Sequence, residues 1–180
     1  VKTTLPDGNE LMIRTENVRR LAVRIPGWAR QSGGSILSTS PYREENGYAV
    51  FENLKPTVTI RCASLRPTLI FSDPRVTENT GKAAVTFGPT VYCLEECDNP
   101  DVLSLLIDRS LFPESTAVWN ESEERTEILV PGFRPEFSHE EKLYGGVEEI
   151  TYEPVTLRFI PYRDFANRSD ADMAVWIGIM

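Results

Sequence analysis

The chain has 180 residues, 41% of them hydrophobic, and 27 acidic residues against 19 basic ones give it a formal charge of −8. That is ample apolar material for a packed core. It is the wrong charge balance for nucleic acid, whose phosphates call for clustered Lys and Arg, or for docking on an anionic membrane. No apolar run approaches the roughly 20 residues needed to span a bilayer as a helix.

The amino-terminal stretch Val1–Glu10 lacks the charged start and apolar centre of a signal peptide, and no initiating Met is present. The expectation is a piece of a larger protein. Pro6-Asp7-Gly8 marks a turn before a short strand at Leu11–Arg14. In Leu21–Ile25 apolar side chains alternate with small or charged ones, as on a half-buried strand. Trp28 follows Pro26-Gly27 at the end of that strand. Gly33-Gly34 is a further turn, and Asn46-Gly47 suits a tight hairpin leading into Tyr48–Phe51, because both residues tolerate positive φ. Val58, Ile60 and Cys62 alternate with Thr57, Thr59 and Arg61. A domain boundary is expected near Ser72-Asp73-Pro74-Arg75, dividing the chain into 1–73 and 74–180.

Beyond that boundary, Ala83–Phe87 and Val91–Leu94 read as strands separated by Gly88-Pro89. Pro100–Leu106 is the best helical segment, but it is short, and Leu103–Ile107 reads equally well as strand. Ser110 to Tyr144 is acidic and irregular. It is expected to form exposed loops around short strands at Thr116–Trp119 and Glu127–Val130. Gly145-Gly146 is a turn, Val155, Leu157 and Phe159 restore period two, and Met173–Ile177 forms the last strand. Many short strands with frequent turns point to sandwiches or barrels, and each half has about the size of a minimal sandwich. The expectation is an all-β fold of two small antiparallel β-sandwiches, jelly-roll-like.

Chemistry-bearing residues are few. Cys93 and Cys97, with Glu95 and Glu96 between them, lack the second pair of ligands that a zinc site needs, so no metal site is expected. With Cys62 they make three cysteines, an odd number for a disulfide framework, and read as reduced thiols. A cytoplasmic origin is mildly favoured, and the compartment is left open. His139, the single histidine, stands beside Glu140 and Glu141 in a polar loop, with no Gly-x-Ser-x-Gly elbow to serve. Carboxylate runs such as Glu121-Ser122-Glu123-Glu124 read as a solvated face. No catalytic residue is assigned. Trp28, Tyr42 and Trp119 are the candidates for sugar contact, since apolar sugar faces stack on aromatic planes. Core packing is expected for Trp176.

Three stretches together resemble a known family. They are Arg24-Ile25-Pro26-Gly27-Trp28-Ala29, the run from Asn79-Thr80-Gly81-Lys82 to Tyr92-Cys93-Leu94-Glu95, and Phe159-Ile160-Pro161-Tyr162-Arg163-Asp164-Phe165-Ala166-Asn167-Arg168 continuing to Met173-Ala174-Val175-Trp176. In this order they resemble the C-terminal region of the β-L-arabinofuranosidase family of glycoside hydrolases, family 127, from about Leu21 to Ile177. Departures fall at Arg163 and Asp164, where a tyrosine and a small residue are more usual. Phe165 stands in place of tryptophan, and Ser169 in place of glycine.

The resemblance implies a helical toroid as catalytic domain, followed by two β-sandwiches, the first of them packed on the toroid and incomplete if upstream sequence supplies a strand. The acid/base glutamate, the nucleophilic cysteine and the zinc ligands belong to the toroid, which would precede Val1. None of those roles therefore transfers to Cys93, Cys97, Glu95 or Glu96, and no cofactor is expected in residues 1–180. The expected function is that of a non-catalytic accessory region, with a carbohydrate-binding module as the alternative. Its expected partners are the catalytic domain of the same chain and, through the second sandwich, another copy.

Overall fold

The computed structural model describes residues 1–33, 36–52, 54–62, 65–138 and 143–180. The described chain is all-β, with only short 3-10 turns between strands, and it separates into two compact units, Val1–Arg66 and Pro67–Met180. The division falls at Arg66 because Pro67–Ile70 is committed to the second unit, where it pairs with Ala84–Phe87.

The first unit contains Lys2–Thr3 (β1), Glu10–Arg14 (β2), Leu21–Arg24 (β3), Ile36–Ser38 (β4), Arg43–Glu45 (β5), Tyr48–Phe51 (β6) and Thr57–Cys62 (β7). They form two sheets, ordered β1-β2-β7-β4 and β3-β6-β5. Period two decides which faces meet. Val58, Ile60 and Cys62 of β7 are buried, and they join Ala49, Phe51, Ile25, Ala29 and Ile36 in one cluster fed by both sheets. Asn46 and Gly47 carry φ of 51° and 81° between β5 and β6, as a two-residue primed hairpin requires.

The second unit contains Pro67–Ile70 (β8), Lys82–Phe87 (β9), Thr90–Glu95 (β10), Leu106–Ile107 (β11), Thr116–Asn120 (β12), Arg125–Phe137 (β13), Ile150–Pro161 (β14), Met173–Ala174 (β15) and Ile177–Ile179 (β16). Its hydrogen-bond ladder closes on itself through β10-β14-β13-β11-β16-β9 and back to β10, a barrel-like ring of six strands. The sequence led us to expect two facing sheets. The β9–β10 hairpin, turning at Gly88 with φ 57°, joins them at one edge. β8, β12 and β15 lie outside the ring, on β9, β13 and β10. Ala83, Val85, Tyr92, Leu94, Ile107, Ile128, Val130, Leu157, Phe159 and Ile177 are all buried. Each large apolar side chain so buried contributes about 1.5–3 kcal/mol.

Three expectations for this half are corrected. Pro100 to Ser104 is a series of turns in which Leu103 is exposed, and only Leu106–Ile107 is strand. Met173–Ile177 is broken at Val175-Trp176, leaving β15 and β16 on opposite sides of the break; Trp176 is half-buried. The stretch expected to be mostly loop holds β13, thirteen residues long, because ten consecutive residues, Ile128 to Phe137, pair with Ile150–Phe159. Gly132 sits where β11 crosses this strand. A Cβ there would collide with the Leu106 carbonyl and the Leu157 side chain, so only glycine fits.

Candidate functional site

Strand β10 alternates Tyr92 and Leu94 on one face with Cys93 and Glu95 on the other, and all four are buried. A carboxylate carried into the interior must find donors or lose its charge. Glu95 finds them in the connection from β14 to β15. The Ala166 amide donates to its Oε1 at 2.8 Å, the Arg168 guanidinium donates to Oε2, and the Cys97 thiol lies 3.6 Å from the same oxygen. Arg168 also bridges to Asp98, and the Glu96 amide donates to the Asp172 carbonyl at 2.9 Å. Residues 162–172 are thereby clamped to the end of β10.

Asn99 tightens the same corner. Its side-chain amide donates to the carbonyls of Glu95 and Arg158, each at 3.0 Å, and its Oδ1 accepts the Arg158 amide at 2.8 Å. A second buried pair lies on β13. Arg125 donates to Glu127 through Nε and Nη2 at 3.2 and 3.0 Å, Asn120 donates to the same oxygen at 2.9 Å, and Arg158 stands 3.6 Å from the other.

Electrostatics set what these groups can do. Burial alone would push the Glu95 carboxyl up, but Arg168 and the Ala166 amide together hold it below the usual carboxylate range. It is an ionised acceptor, not a proton donor. Of the two carboxyls that hydrolyse a glycosidic bond, one must be protonated and the other ionised. The lowered pKa rules Glu95 out of the first role, and both its oxygens are already engaged by Ala166, Arg168 and Cys97. Burial, reinforced by the Glu95 charge, pushes the Cys93 thiol up to about 12, so it is no nucleophile near neutrality. Donor atoms of Glu95, Cys97 and Asp98 lie within 4.8 Å of one another, a chelating size. Both carboxylates are already bridged by Arg168, so the guanidinium supplies the charge that a cation would.

The three aromatic candidates divide between the two units. Trp28 and Tyr42 pack against the buried cluster of the first unit. The Tyr42 ring lies 5.6 Å from that of Phe51, and its hydroxyl donates to the Ile36 carbonyl at 3.2 Å. Trp28 lines a small, largely apolar cavity of about 120 Å³ with Leu11, Val23, Ile36, Ile60 and Cys62. Trp119 belongs to the second unit, on β12, and is 48% exposed. His139, Glu140 and Glu141 lie outside the described residues. Sequence reasoning named Glu95 and quoted Arg168, but missed that they meet. They are 73 positions apart, and no periodicity links them.

Comparison with known proteins gives a consistent result. A family model described as the glycoside hydrolase family 127 C-terminal domain matches residues 67–178. A non-reducing end β-L-arabinofuranosidase of Bifidobacterium longum subsp. longum is 28% identical over 172 residues, covering 90% of this chain and 26% of that protein. The crystal structure of a family 127 β-L-arabinofuranosidase from Geobacillus stearothermophilus T6 superposes with a TM-score of 0.80 at 25% identity, over 99% of this chain and 30% of that one. A second family 127 β-arabinofuranosidase structure gives the same TM-score at 22% identity, over 31% of its length, and bears on the fold alone. The chain thus spans between a quarter and a third of these relatives.

Proposed function

Since the chain belongs to glycoside hydrolase family 127, with the C-terminal domain of that family at residues 67–178, we propose that it is the non-catalytic accessory region of a hydrolase resembling the β-L-arabinofuranosidases. One observation carries the reading: the relatives hold the equivalent of 90–99% of this chain as 26–31% of a longer protein. The chemistry of the buried groups supports it. Glu95 is ionised, paired with Arg168 and bonded through its oxygens to the 162–172 connection, and Cys93 is held as a thiol. The catalytic carboxyl, the nucleophile and any zinc would then lie in the rest of the polypeptide, and the substrate would be a terminal arabinofuranose or a related sugar.

The region's task is to stabilise the catalytic part and, through the second unit, to join two copies. Deleting residues 1–180 from the full-length polypeptide tests this. The expected result is a catalytic part that unfolds at lower temperature and is recovered in low yield. Unchanged stability and yield would remove the reading.

Sugar contact is the second reading, and the exposure of Trp119 is the observation that favours it. It requires saturable quenching of tryptophan fluorescence by arabinose-, galactose- or rhamnose-containing oligosaccharides, abolished by Trp119→Ala.

A further inference from the structure

Strands β13 and β14 continue past the ring, whose last rung on β13 is Phe133 against Leu106, as a two-stranded arm, Arg134–Phe137 paired with Ile150–Glu153. Residues directly opposite in an antiparallel pair share a face, and faces alternate along each strand. The register therefore places Phe133, Pro135, Phe137, Ile150, Tyr152 and Pro154 together on one side. Arg134, Glu136, Thr151 and Glu153 occupy the other, with Arg134 donating to Glu153 at 3.1 Å. The Phe133 and Tyr152 rings meet edge-on at 6.4 Å, as neighbours on one face do. Phe133, Pro135 and Ile150 on this side are half-buried, but Phe137 and Tyr152 are exposed, and in the connection beyond them Leu143 and Tyr144 are 88% and Val147 82% exposed. An isolated two-stranded ribbon is marginal in water, and contiguous exposed apolar surface of this kind marks a binding face.

We infer that this apolar face and its tip pack, within the same polypeptide, against the part of the family 127 hydrolase that lies outside residues 1–180. The inference rests on the accessory reading above. Two features select this occupant over a second copy adding a strand to the arm. Pro131, Pro135 and Pro154 share the ladder parity whose N–H would point away from the β13–β14 pairing. Pro131 lies within the ring beside β11, whereas Pro135 and Pro154 each remove one outward donor at the arm, which weakens edge-to-edge pairing there while leaving the hairpin intact. The relatives also carry some 70% of their length elsewhere, an ample surface for the face to meet. With Glu136, Glu148, Glu149 and Glu153 around it against Arg134 alone, the described part of the arm is acidic, so the receiving groove is apolar with a basic rim.

Hydroxyl-radical footprinting of the full-length polypeptide, native against urea-unfolded, tests the inference at Tyr144 and Tyr152. Docking predicts at least about tenfold slower labelling of both in the native protein, retained on dilution to monomer. Exposure as seen here would leave the Tyr144 rate near the unfolded one and slow Tyr152 only about two- to threefold. Rapid labelling of both, with other surfaces of residues 1–180 protected beyond their exposure here, would overturn the docked arm and leave the accessory role standing. Protection that disappears on dilution would assign the face to a second copy and overturn the inference. Absence of any added protection across residues 1–180 would remove the accessory reading as well. The variant Tyr152→Asp, combined with Leu143→Asp, is expected to restore fast labelling at Tyr144.

Discussion

The corner at the end of β10 and the arm beyond the ring invert the usual distribution of side chains in opposite ways. At the corner and at the buried pair on β13, charges lie inside: Glu95 is fully buried and Arg125 nearly so. On the arm, aromatic and aliphatic groups lie outside. The buried charges are answered within the unit, by Arg168, Ala166, Glu127 and Asn120, so they explain themselves as internal fastenings. Phe137 and Tyr152 on the arm stay exposed among the described residues of the unit. A buried carboxylate in a glycosidase relative invites a catalytic assignment, yet its completed bonding argues for structure. The bland alternation on the arm is what calls for a partner.

The comparison can be broken by substitution, beginning with the ring that both regions share. Phe159→Ala should cost about 3–5 kcal/mol in denaturant unfolding, since the ring is closed around that side chain. The equivalent Phe137→Ala on the arm should stay within about 0.5 kcal/mol in residues 1–180 alone. Equal losses at the two positions would mean that the arm is covered within its own unit.

Next in size is the corner. Glu95→Ala leaves Arg168 partly buried with one carboxylate fewer and should cost about 3 kcal/mol. The Glu95→Ala/Arg168→Ala double variant should lose less than the sum of the singles, as members of one network do. Strict additivity would separate the two residues energetically.

Acid should act through the same group. The folded pKa of Glu95 lies below its unfolded value of about 4.3. Its contribution is therefore complete above that value and disappears as pH falls through the folded pKa. Glu95→Gln should flatten the pH dependence of unfolding in that acid window. An unchanged slope would place the acid sensitivity elsewhere. The smallest perturbation is chemical: a thiol reagent at neutral pH should label exposed Cys97 in the native chain. It should spare Cys62 and Cys93, whose thiols are buried and shifted upward.

Much of the strand inventory was legible because it is written locally. Period two marked Thr57–Cys62 and the later part of β14, and Asn46-Gly47 marked its hairpin. Closure of the ring was not legible, because the pairing of Ile177 with Ala83 joins distant segments and leaves no local pattern. The alternation Phe133, Pro135, Phe137 was present but masked: prolines normally argue against a strand, and only the partner strand reveals that they sit at outward positions. The same distance hid the Glu95–Arg168 contact. Trp28 and Tyr42 show the converse limit, since an aromatic at a strand end reads alike whether it covers a core or faces a ligand.

Turnover by residues 1–180 on their own tests the central claim most directly. The folded chain, incubated with a chromogenic β-L-arabinofuranoside beside the full-length polypeptide, should release no product above buffer, while the full-length protein hydrolyses the substrate. Release by the chain alone, abolished by Glu95→Gln under conditions where that variant remains folded, would contradict the account and make the buried corner a catalytic one.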